Sequence, residues 1–81
     1  VNSNDPQKAL LFYEDLIANH ADYVGTYYHL GKLYEALDRK DEAVKTYQDG
    51  MLVARKVNDM HSFSELQAVY NSATGQDYED D

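Results

Sequence analysis

Residues 24–57 read VGTYYHLGKLYEALDRKDEAVKTYQDGMLVARKV. Tyr27, Leu30, Gly31, Tyr34 and Leu37 recur there at steps of three and four. That spacing places them on one face of an α-helix. After the polar break Asp38-Arg39-Lys40, a second stripe follows: Ala43, Tyr47, Gly50, Met51 and Ala54. Gly31 lacks a side chain, so its helix can approach a neighbour closely. Ala43 offers the same room from the second helix. The large residues Tyr27, Leu30, Tyr34 and Tyr47 then fill the space around these two contacts.

The pattern extends to both sides. Upstream, Asp5 suits an N-cap and Pro6 suits the first helical position, where a missing N–H has no intrahelical partner. Leu10, Tyr13, Ile17 and His20 continue at helical spacing, flanked by Ala9 and Leu16. Downstream, Ser62-Phe63-Ser64-Glu65 reads as a capping box, in which the Ser hydroxyl and the Glu carboxylate each satisfy a free backbone N–H. Phe63, Leu66, Tyr70 and Ala73 form the stripe behind it, and Gly75 is a natural stop because it accepts positive φ. The expectation is therefore an all-α chain of four helices, at about 6–20, 23–37, 41–57 and 62–74. Residues 1–75 form one domain on this reading. Residues 76–81 form an acidic tail, expected to be disordered, that solubilises the chain or docks on a basic partner.

The helices repeat. A shift of 34 pairs Ala9 with Ala43, Tyr13 with Tyr47 and Asp15 with Asp49. It also brings Leu10 onto Val44, Glu14 onto Gln48 and Ile17 onto Met51. A small residue followed by an aromatic one turn later is what lets a second helix nest against the first. Tyr27, Leu30, Gly31 and Tyr34, then Ala43 and Tyr47, make the chain resemble the tetratricopeptide repeat family. That family's pattern is Trp-x2-Leu-Gly-x2-Tyr, then Ala-x3-Phe, then Pro. Here Tyr stands in for Trp and for Phe. The resemblance covers one full repeat at 24–57 and a half repeat at about 5–21, including Ala9 and Tyr13. The closing Pro would fall at Arg55 and at Ala21, and its loss at Arg55 lets the third helix run on. Leu66, Val69 and Tyr70 echo Leu30, Leu33 and Tyr34 at a shift of 36, with Gln67 in place of the glycine. The fourth helix is accordingly expected to cap the stack with a polar outer face. The fold implied is an antiparallel helix-turn-helix stack, a fragment of a right-handed superhelix.

Composition narrows the functions. The 81 residues carry 15 acidic and 7 basic side chains, a formal net charge of −8. Four of those acids lie in the last five residues, so the body is only mildly acidic. No basic patch is present, which argues against nucleic acid and against an anionic membrane surface. The absence of cysteine excludes disulfides and thiolate metal sites. No apolar run has the length of a membrane span or a signal-peptide core, so a cytoplasmic location is expected. The chain opens at Val1 rather than Met, as an excised or processed piece does. His20 lies near Asp22, and His29 and His61 stand alone, so neither a metal set nor an acid–base pair is drawn from them. No phosphate loop or nucleophile elbow occurs. No catalysis, cofactor or metal is expected.

What remains is binding of another protein or peptide. In the family resembled, the first helix of each repeat lines a concave surface. Carried over, Tyr28, Lys32 and Glu35 succeed one another away from Leu30 and Tyr34, and Gly25 opens the same face. They are the expected partner contacts. One variety of the family clamps a peptide's C-terminal carboxylate with Asn. Its Asn would fall at Lys32 or His29, so that mode is not expected here. A second expectation is self-assembly, because Leu11, Phe12 and Leu16 on the unpaired first helix invite a homodimer or docking onto a flanking repeat.

Overall fold

A computed structural model of the chain describes residues 5–75. Four α-helices follow one another: α1 Pro6–Asn19, α2 Val24–Ala36, α3 Lys40–Lys56 and α4 Met60–Thr74. The described residues contain no strand. α1 packs against α2 alone, α2 also packs on α3, and α3 on α4, which touches α2 in turn. The acidic segment 76–81 lies outside the described residues.

The close approach of α2 and α3 is made at Gly31. A Cβ on Gly31 would sit 2.6 Å from Cδ1 and 2.7 Å from Cζ of Tyr47. Tyr47 is fully buried by this contact, as is Ala43 one turn earlier. Gly50 does the same for the next layer: a Cβ there would lie 2.6 Å from Tyr27 Cβ and 3.0 Å from Leu66 Cδ1. Tyr27, Leu30 and Tyr34 of α2 and Leu66 of α4 complete the core. The half repeat behaves differently. Ala9 and Tyr13, read from the sequence as packing residues, are only half-buried. Their counterparts Ala43 and Tyr47 are covered by α2, and no described helix covers that side of α1.

One hydrogen bond recurs between successive helices. The Tyr34 hydroxyl donates to Glu14 Oε2 at 2.9 Å, and Gln48 Nε2 donates to the Tyr70 hydroxyl at 3.2 Å. Glu14 and Gln48 are 34 residues apart, and Tyr34 and Tyr70 are 36 apart. The same Tyr thus reaches back to the same place on the preceding helix. α4 lies on α3 as α2 lies on α1. Burial and the Glu14 carboxylate raise the Tyr34 phenol to about 12 from the usual 10.0. Tyr34 also carries Arg39 over its ring at 5.0 Å, and that guanidinium binds Glu42, holding the Glu42 carboxyl below its usual range.

The helix ends explain where the sequence boundaries shift. α1 starts on the Asp5 cap, whose carboxylate accepts from the Gln7 N–H at 3.0 Å. α4 starts two residues before the expected Ser62. Its cap is Asp59, which accepts from the Ser62 N–H at 3.1 Å and from the Ser62 hydroxyl at 2.8 Å. Glu65 pairs instead with His61. Asp59 outcompetes Ser62 because a carboxylate accepts two bonds at once and favours the positive end of a helix. α2 and α3 end alike, on Asp38 at φ 63° and Asn58 at φ 64°. The next N–H reaches back five residues each time, Arg39 to Tyr34 O at 2.8 Å and Asp59 to Ala54 O at 2.7 Å. These are Schellman turns, with Asp and Asn where glycine is usual. Gly75 ends α4 at φ 78°.

Gly31→Ala is expected to destabilise the fold by about 1–3 kcal/mol, since the new methyl meets a packed ring. Thermal unfolding followed by circular dichroism should show Tm falling by roughly 4–8 °C per kcal/mol. Gly25→Ala should hold or raise Tm, because a Cβ there meets nothing within 4 Å. Alkaline pH probes the Tyr34 bond. A phenol raised in the fold stabilises it fully below pH 10.0, and that contribution is lost as pH climbs to about 12. The urea midpoint should fall across this window, and Tyr34→Phe should lessen the fall.

Candidate partner-binding face

The exposed side of α2 carries Gly25, His29 and Lys32, with Tyr28 and Glu35 half-buried along its edges. Steps of three and four along a helix set these residues into one stripe. Gly25 leaves the start of the stripe open. Lys32 projects into solvent. Tyr28 leans on the core with part of its ring outside. Glu35 is tethered: its Oε2 accepts the Tyr47 hydroxyl at 2.8 Å. Burial, then this bond, push the Tyr47 phenol far above its ordinary value. The Glu35 carboxylate is therefore shared between the core and the surface.

The stripe continues beyond the residues drawn from the sequence. The Tyr28 ring meets His29 edge-on, with centroids 5.8 Å apart. His29 stacks on Tyr13 of α1 at 6.1 Å and 16° between planes. Tyr13 meets Phe12 edge-on at 5.5 Å. Four rings thus run from α2 across the seam onto α1. Sequence reasoning set His29 aside as a lone histidine and Tyr13 as core. The available signal was the half repeat itself, since among the described residues no helix covers Tyr13 as α2 covers Tyr47.

At the far end of the stripe, α2 and α4 enclose a polar hollow of about 260 Å³, lined by Glu35, Asp38, Lys40, Ser72 and Ala73. A larger groove of about 370 Å³ lies between α1 and α3, floored by Tyr27, Leu30 and Tyr34. A third, of about 420 Å³, lies along α3 and α4 beside Met51, Leu52, Phe63 and Tyr70. It is the counterpart of the second, built around Tyr70 and Gln48 as the other is around Tyr34 and Glu14. Among the described residues no three His, Asp or Glu side chains come together as a metal set. None of the described helices is long and apolar enough to cross a membrane.

No protein-family model matches the chain, and no curated protein does. Solved structures do. The solution NMR structure of a tetratricopeptide repeat domain protein from Salinibacter ruber is 45% identical, with a TM-score of 0.86. The match covers 96% of this chain and 79% of that one. A crystal structure of a tetratricopeptide repeat domain protein from the same organism is 48% identical, with a TM-score of 0.84. It covers 90% of this chain and 82% of that one. The helix order, the Gly31–Tyr47 contact and these two matches agree, and the chain belongs to the tetratricopeptide repeat family.

Proposed function

We propose that the chain is a protein-binding module that catalyses no reaction, and that a peptide or helix of its partner lies along the exposed stripe of α2. The observation that carries this reading is the row of rings from Tyr28 through His29 and Tyr13, set beside the open Gly25 and the solvated Lys32. Helical repeats serve generally as scaffolds for protein interaction, and a stacked surface of rigid helices supplies a preformed seat. Tyr28 and His29 supply flat area at low entropic cost, Lys32 supplies a cation for a carboxylate, and Gly25 lets a partner backbone come close. Glu35, held by Tyr47, gives the other end of the stripe a negative charge, so the seat has polarity. An acidic body without a basic patch fits a protein partner and not a nucleic acid.

Affinity capture from native lysate tests the assignment. The Tyr28→Ala/Lys32→Glu variant should lose the captured partner by about tenfold or more. Lys45→Glu, on the exposed side of α3, should capture it as the wild type does. Equal capture by wild type and the α2 variant would remove the stripe from the function.

A further inference from the structure

The two ends of the stack differ in a way that the repeat makes measurable. α4 has Ser64 and Gln67 exposed and Asn71 half-buried at the places where α2 has Tyr28, Gly31 and Glu35. A Cβ at the Gly31 place collides with an incoming ring, so Gln67 denies α4 a following helix packed as α3 is on α2. That face of α4 is polar.

The α1 end is apolar. By the shift of 34, Leu11 stands where α3 has Lys45, Phe12 where it has Thr46, and Leu16 where it has Gly50. Leu11 is 66% exposed and Phe12 60%. Gly50 is small because the Tyr27 side chain needs its space. With Leu16 and Phe12 in those places, α1 cannot receive a helix patterned like α2 at that distance. The face is built for a different occupant.

We infer that the outer face of α1 pairs with α1 of a second copy, antiparallel about a two-fold axis near Phe12. The charges choose both copy and direction. Lys8 lies one turn before Phe12 and Asp15 one turn after, on the same exposed side. Lys8 has no carboxylate partner among the described residues. Antiparallel pairing sets Lys8 of each copy against Asp15 of the other, while parallel pairing sets like against like. Phe12 then meets Phe12, with Leu11 and Leu16 closing the seam on either side. Such an isologous contact closes at two copies. The seam is one helix of 14 residues, about 21 Å long. It offers less than the roughly 800 Å² per partner of a standard interface. The pairing is therefore weak, with monomer and dimer in exchange. This arrangement takes up Phe12, the last of the four rings, whereas Gly25, Tyr28 and Lys32 lie on α2, outside the seam.

Sedimentation of the full chain from roughly 1 µM to 1 mM tests the pairing. The wild type should pass from monomer to dimer and stop there. Phe12→Lys, at a solvated position, should shift the transition to at least about tenfold higher concentration with unchanged helical circular dichroism. Lys8→Glu should also dissociate the dimer, and Lys8→Glu/Asp15→Lys should restore it. Tyr28→Ala should leave the mass unchanged, so loss of the α2 reading and loss of this one are separate results. A wild type monomeric at the highest concentration, growth beyond two copies, or a charge swap that fails to restore the dimer would overturn the proposal. So would dissociation by Leu52→Lys in place of Phe12→Lys.

Discussion

The Tyr47 ring lying on Gly31 is the contact from which the rest of the architecture follows. Only a residue without Cβ lets the α2 backbone come within van der Waals reach of an aromatic face. That approach buries Tyr47 completely and sets the separation of the two helices. The phenol cannot be left without a partner inside, since an unpaired buried hydroxyl costs about 1–3 kcal/mol. Glu35, one turn beyond Gly31 on α2, accepts it. The same pair of helices thus supplies the space, the ring and the acceptor. Ala43 and Gly50 repeat the principle above and below, so the α2–α3 seam is a stack of small residues facing large ones.

This dependence explains what was legible in the sequence. Gly31, Ala43 and Tyr47 are size signals at fixed spacing, and size at fixed spacing survives translation into structure. The all-α stack and the family were readable for that reason. Boundaries were less so. Ser62 has the sequence form of a cap, but Asp59 lies one turn earlier and binds more strongly, and only the backbone shows which of them the helix uses. The Asp38 and Asn58 turns were visible as polar breaks, and Asp and Asn accept left-handed backbone more readily than other residues with a Cβ, but residue type alone does not say which of the polar residues in each break adopts it.

The surface was harder to read because exposure depends on what is missing. Tyr13 and Tyr47 are the same residue type at the same repeat position. One is half-buried and the other wholly buried, since α2 covers α3 and nothing described covers α1 in that way. His29 lies on the exposed side of α2, and its stacking on Tyr13 joins that side to α1. Glu35 is the reverse case: its spacing places it on the surface stripe, whereas the Tyr47 hydroxyl draws it toward the core. The recurrent Tyr34–Glu14 and Tyr70–Gln48 bonds escaped notice because the second uses an amide in place of a carboxylate and a register of 36 in place of 34.

That α1 touches α2 and no other described helix bears on how the molecule breathes. α2 and α3 are each held from two sides and joined through Schellman turns, so they open only with much of the core. α1 can detach alone, giving up chiefly Leu10, Ile17 and the bond from Tyr34 to Glu14. Such partial opening is the usual origin of uneven amide exchange within one domain. The amides of α1 should be the first of the four helices to exchange, and those around Tyr47 the last. While α1 is away, Leu30 and Tyr34 lose their cover, and the partly unfolded form presents a much larger apolar surface than the native one.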